Sequence, residues 1–163
     1  MASFGEIAKE EFHYLESHFG YELVDAHEKS DGGEVKYINR RVGVGIRILY
    51  EFSSAFVFVF IYRLVNGEFR GNPLPIGKDT EINCFDFNDY LVSERKMKPA
   101  YEYGEHSAYY DPDNGLRNFT KEFAERLRTD GIQILRGDLS PMTIMAAIIR
   151  ARAASFVTPE GDN

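Results

Sequence analysis

The sequence predicts an α+β domain: an antiparallel sheet of about four strands, with an N-terminal helix and two or three C-terminal helices packed on it. Two β-rich runs, Val42–Tyr50 and Ala55–Val65, flank the polar break Glu51–Ser54, which is the pattern of an antiparallel hairpin. The second of these runs is apolar at both parities, so an internal strand with both faces covered is expected. Apolar residues then recur at three- and four-residue intervals before Gly20 and after Asn114, placing helices on either side of the sheet in chain order. A strongly curved sheet wrapped around the last helix is the alternative architecture.

Taken in order, Ser3-Phe-Gly-Glu6 reads as a capping box, in which the serine accepts from the backbone near Glu6 and the glutamate returns to Ser3. Phe4, Ile7, Ala8, Phe12, Leu15 and Phe19 form one apolar stripe behind it, and Gly20 supplies a left-handed stop. Tyr21–Glu28 and Glu34–Arg40 alternate loosely around the turn cluster Ser30-Asp-Gly-Gly33, giving two strands of a meander. In Val42–Tyr50 the residues Val42, Val44, Ile46, Ile48 and Tyr50 share one face, while Gly43, Gly45 and Arg47 leave the start of the other face bare for a close approach.

The Gly- and Pro-rich stretch Asn66–Ile82 predicts a surface loop, and Phe85–Arg95 a short helix capped by Asp86 or Asn83. After a second irregular stretch, Lys98–Asn114, the repeat Leu116, Phe119, Phe123, Leu127 marks an amphipathic helix with Asn114 as cap, resuming past Gly131 until Gly137. The last helix opens with Ser140 as cap and Pro141 at its first position and runs to about Phe156.

At 163 residues the chain suits one domain, residues 1–157, with 158–163 as a flexible tail. Its composition, 44% hydrophobic and 28% charged, is that of a globular protein rather than a disordered one. The longest apolar run, Ala55–Tyr62, falls far short of the roughly 20 residues that cross a bilayer, and the first residues show neither a basic start nor an apolar core. The single cysteine, Cys84, has no intramolecular disulfide partner, which suits a reducing compartment. Cytoplasmic location and no membrane association are therefore expected. A formal charge of −7 argues against nucleic acid as a partner and suits a basic protein.

Catalytic and cofactor signatures are weak. His13 and His18 stand five apart, about 140° around a helix axis, so they do not share a ligand site; His27 beside Asp25 and Glu28, and His106 after Glu105, are read as solvated. No metal and no cofactor are expected. Cys84 lies beside Phe85 and Phe87, with no neighbouring cation in the sequence to activate it. Gly43-x-Gly45 lies inside a strand and lacks the third glycine of a nucleotide fingerprint; Asp111-x-Asp113-x-Gly115 lacks the downstream glutamate of a calcium loop. Arg136-Gly-Asp138 is read as a helix stop and turn, not an adhesion motif.

The strongest candidate surface is the aromatic and acidic segment that carries Tyr101, Glu102, Tyr103, Glu105, Tyr109, Tyr110, Asp111 and Asp113. Tyrosines with an acidic rim offer broad contacts at low entropic cost, the composition of protein-binding loops. The plain alternative is that these tyrosines pack on the sheet edge and the acids are solvated.

Phe12-x-Tyr14-Leu15-x-x-x-Phe19-Gly20-Tyr21-Glu22-Leu23, followed by Val35-x-Tyr37 and the strand pair, and the later Gly131-Ile-Gln-Ile-Leu-Arg-Gly-Asp138, resemble a broad group of small, mostly uncharacterised bacterial α+β proteins. Some of that group look like immunity proteins of toxin–immunity systems. The resemblance implies a fold and carries over no binding residue. Together with the lack of a recognisable catalytic pair, the charge of −7 and the aromatic and acidic segment, it points to a non-enzymatic protein-interaction module, an immunity-type inhibitor of a cognate toxin whose partner is a basic toxin domain. Two other classes stay open: a self-associating structural or adaptor protein using the Gly43/Gly45 face or a sheet edge, and a small hydrolase built from Glu102, Glu105 and His106.

Overall fold

The computed structural model describes residues 3–51, 56–98 and 114–156. Helix α1 (Phe4–Glu11) starts at the capping box as expected: Glu6 N donates to Ser3 Oγ at 3.3 Å and Ser3 N to Glu6 Oε2 at 3.0 Å. The predicted single helix to Phe19 is instead two. The chain tightens at Phe12 and His13, where Leu15 N and Glu16 N bond three residues back, and α2 (Tyr14–Phe19) follows. This extra rotation turns Tyr14 inward beside Leu15, and its hydroxyl donates to the Ala124 carbonyl at 2.7 Å. Gly20, at φ 74°, makes the left-handed stop.

Five strands then form one antiparallel sheet in sequence order: β1 (Glu22–Lys29), β2 (Gly32–Asn39), β3 (Val44–Glu51), β4 (Phe56–Arg63) and β5 (Cys84–Asp86). The hairpin register runs from Val44↔Arg63 to Glu51↔Phe56, and β4 is internal as the sequence predicts. The count of about four is one short. Cys84–Asp86 pairs with Phe60–Tyr62, although the sequence predicts Phe85 and Asp86 at the start of the helix Phe85–Arg95. A three-residue strand is too short to show alternation, and a side chain extends its hydrogen bonding: Asn72 Oδ1 accepts from Asn83 N and Cys84 N at 2.6 and 3.0 Å, and its amide donates to the Cys84 carbonyl at 3.1 Å.

The remaining helices are α3 (Phe87–Ser93), α4 (Gly115–Thr129), α5 (Ile132–Leu135) and α6 (Ser140–Ser155). Asp86 caps α3, accepting from Asn88 N at 2.8 Å. Ser140, expected as the cap of α6, is instead its first residue; Leu139 holds the cap position, and Asp138 Oδ1 accepts from Ser140 N at 3.0 Å. No helix among the described residues is long and apolar enough to cross a membrane.

All these helices join one core cluster with a single face of the sheet. Val35, Tyr37, Val44, Ile46, Ile48, Val57, Val59, Ile61 and Phe85 meet Phe12, Leu15, Phe87, Leu91, Phe123, Leu127 and Met145 there. Each such large side chain contributes roughly 1.5–3 kcal/mol by leaving water. The other face of β4 differs from expectation: Phe56, Phe58 and Phe60 are only half-buried. On that face the bare start of β3 is covered from within the chain. Phe69 of the loop after β4 lies on Gly45, where an added Cβ would stand 2.6 Å from its ring, and Phe69 packs edge-on against Tyr62 at 5.0 Å. The Gly45 surface is therefore occupied by the protein's own loop, whereas a Cβ added at Gly43 would meet nothing within 4 Å.

Candidate functional site

The five-strand register assembles the open face from residues scattered through the sequence. Asp25, Lys36, Arg47, Phe60 and Asp86 are successive cross-strand partners, one from each strand, and form a row across the whole sheet. The neighbouring row is His27, Glu34, Leu49 and Phe58. Side chains two residues apart along a strand point to the same side, so the two rows lie side by side.

Glu34 is the hub of this face. Its side chain is 6% exposed, yet it is ringed by cations: Arg47 Nε donates to Oε1, Lys36 Nζ lies 3.6 Å from Oε1, and Lys29 Nζ lies 3.7 Å from Oε2. Burial alone would raise its pKa, but the hydrogen bond and charge of Arg47, with Lys36 and Lys29, hold the carboxyl below the usual glutamate value. Glu34 in turn bridges the like charges of Lys36 and Arg47, which face each other directly across β2 and β3.

His27 closes the cluster, with Nδ1 3.0 Å from Asp25 and Nε2 3.4 Å from Glu34. Asp25, His27 and Glu34 place ligand atoms within 4.8 Å of one another, a spacing a metal ion would accept. The surrounding charge does not suit one: Arg47, Lys36 and Lys29 already saturate the Glu34 carboxylate. The residues fit an ion-pair hub. Sequence reasoning left His27 solvated because its partner Glu34 comes from the next strand.

Beside the hub the face is aromatic. The rings of Phe58 and Phe60 stack with centroids 5.9 Å apart and planes 13° apart, and the Arg47 guanidinium sits 5.6 Å from the Phe60 centroid. Neither phenylalanine belongs to the core cluster or to the hydrophobic residues packed on it. At the far end of the row, burial pushes the Asp86 carboxyl up to about 6, against the lowering effect of its cap bond to Asn88. Cys84, opposite Tyr62, is likewise pushed up by burial, so its thiol stays protonated rather than nucleophilic.

Asp86 yields a stability prediction. Its native pKa lies above the unfolded value of 3.8, so the folded state holds the proton more tightly, and stability falls as pH rises from about 4 to about 6. Asn caps a helix about as well as Asp. Asp86→Asn is therefore expected to stabilise the protein by roughly 2 kcal/mol at pH 7, and urea unfolding should show the gain vanish near pH 4. An equal effect at both pH values would contradict this account of the carboxyl.

The sequence-predicted partner surface, Tyr101, Glu102, Tyr103, Glu105, Tyr109, Tyr110, Asp111 and Asp113, lies outside the described residues, as does His106 of the hydrolase alternative. His13 and His18 are exposed on α2 and its N-terminal turn. Among the described residues, the fold is that of an α+β protein that covers one side of its sheet with helices and presents charges and aromatic rings on the other. No protein family, curated protein or solved structure matches the chain.

Proposed function

We propose that the chain is a non-enzymatic, cytoplasmic protein-interaction module of the immunity type, which captures a cognate toxin domain across the open face of its sheet. The observation that supports this reading is the stacked pair Phe58 and Phe60, half-buried and outside the core, with Arg47 over Phe60 and the Glu34 ion cluster beside it. Protein interfaces concentrate Phe and Arg at their centre and charged groups at the rim. A net charge of −7 would speed the approach of a basic partner, while the aromatic centre would supply the residence time.

The test is growth rescue. Co-expressed with the toxin encoded beside its gene, the wild-type chain should restore growth, and the double variant Phe58→Ser/Phe60→Ser should fail to do so while remaining folded and abundant. Rescue at wild-type level by the folded double variant would remove the open face as the interface. A chain that neutralises no neighbouring toxin and recovers only itself from the cell would instead favour the adaptor reading.

A further inference from the structure

A second site is a cleft in which cations gather on an acidic protein. A cleft of about 700 Å³ opens between α2, the turn joining β2 to β3, and the α4–α5 junction, and Arg41, Arg128, Arg136 and His18 line it. The chain holds 12 arginines. Six of them meet a carboxylate, and Arg150 holds the Thr80 carbonyl. Of the five that meet neither among the described residues, three line this one cleft, and only Arg70 and Arg95 lie elsewhere. In a chain with 26 acidic residues, guanidinium groups that converge on one concave surface and meet no carboxylate among the described residues mark a place for an external anion.

The walls are built to hold their shape. Tyr14 ties α2 to α4 through its bond to the Ala124 carbonyl at 2.7 Å, and Tyr21 ties the start of β1 to α5 through the Leu135 carbonyl at 3.0 Å. Buried Asn39 joins the turn to α2: its amide donates to the Phe19 carbonyl at 3.0 Å, and its Oδ1 accepts from Arg41 N at 3.1 Å. The floor is apolar, with Tyr14, Phe19 and Leu135 beneath the cations, and Arg128 lies 5.7 Å from the Tyr14 ring centroid. Burial raises the Tyr14 phenol far above its ordinary value, so no anionic group arises in the floor.

We propose that this cleft binds a small phosphate monoester of nucleotide size, the phosphoryl oxygens held by Arg41, Arg128 and Arg136 and the planar body laid on Tyr14, Phe19 and Leu135. A dianion with three outer oxygens matches several guanidinium forks better than a single carboxylate does, and the volume falls within the range of small-molecule sites. This site is separate from the open sheet face, and its occupancy does not depend on the proposed toxin partner.

The experiment is a titration of the full chain with adenosine 5′-monophosphate, followed by calorimetry and by amide shifts, with adenosine and inorganic phosphate as comparison probes. The monophosphate should bind saturably, move the amides of Arg41, Val42, Arg128 and Leu135, and weaken as salt rises. Each comparison probe should bind at least about tenfold more weakly. Arg136→Gln and Arg128→Gln should each weaken binding by about tenfold or more, the loss of one charge-assisted contact, whereas Arg70→Gln should leave it unchanged. Both arginines are exposed, so their replacement leaves the core intact. Absence of saturable binding, equal binding of adenosine or of inorganic phosphate, or unaltered affinity in both cleft variants would overturn the proposal.

Discussion

Glu34→Ala is expected to destabilise the protein by about 3 kcal/mol at pH 7, an unusually large effect for a residue outside the hydrophobic core. The carboxylate is nearly inaccessible and serves Arg47, Lys36 and Lys29 together, so its removal leaves like charges facing each other across β2 and β3. The sign with pH follows from the lowered pKa. The contribution is fully present above the ordinary glutamate value near 4.5 and is lost as pH falls through the lower native value. Urea unfolding at neutral and acid pH should therefore show a large gap between wild type and variant that closes in acid. Replacing the pair with apolar residues of similar size, Glu34→Leu with Arg47→Met, should recover much of the loss, because the cost lies in the orphaned charge. A gap that does not change with pH would contradict the ionic account.

Gly32→Ala is expected to cost about 3 kcal/mol for a different reason. A Cβ at this position would stand 1.9 Å from the Tyr50 carbonyl oxygen and 3.3 Å from Glu51 Cα, both backbone atoms of β3. Relief requires the strands to part where Gly32 pairs with Glu51 and Gly33 with Tyr50. Gly71→Ala is the matched control: nothing lies within 4 Å of its added Cβ, so that variant should be neutral or slightly more stable through a less flexible unfolded chain. Thermal unfolding of the two variants side by side separates the effect of the close approach from the generic effect of losing a glycine.

The features legible in the sequence are those written within a few residues. Ser3 and Glu6 announce the first helix, Gly20 its stop, and the alternation of Val44, Ile46 and Ile48 against Val57, Val59 and Ile61 the hairpin and its buried face. Local patterns fail where a distant contact decides. The break at Phe12 is settled by Tyr14 reaching Ala124, and β5 by Asn72 reaching across to Cys84. The apolar run of β4 predicts two covered faces, because periodicity reports hydrophobicity and cannot say that Phe58 and Phe60 stay half-open.

The candidate sites follow the same rule. The Glu34 hub gathers Lys29, Lys36 and Arg47 from three strands, and the cleft gathers Arg41, Arg128 and Arg136 from positions almost a hundred residues apart, which no linear motif could express. One signal was present: Lys36 and Arg47 stand on the polar parity of strands whose other parity is core. The register needed to bring them together was not.

The most direct test of the proposed function is the affinity of the purified chain for any toxin domain found encoded beside its gene, measured by calorimetry for wild type and for Phe58→Ser/Phe60→Ser. The interface account predicts a saturable one-to-one complex for wild type and, with two central aromatic side chains removed at about 2 kcal/mol or more each, a loss of at least about a hundredfold in affinity for the variant. Equal affinity for the two proteins, or no complex with wild type, would contradict it.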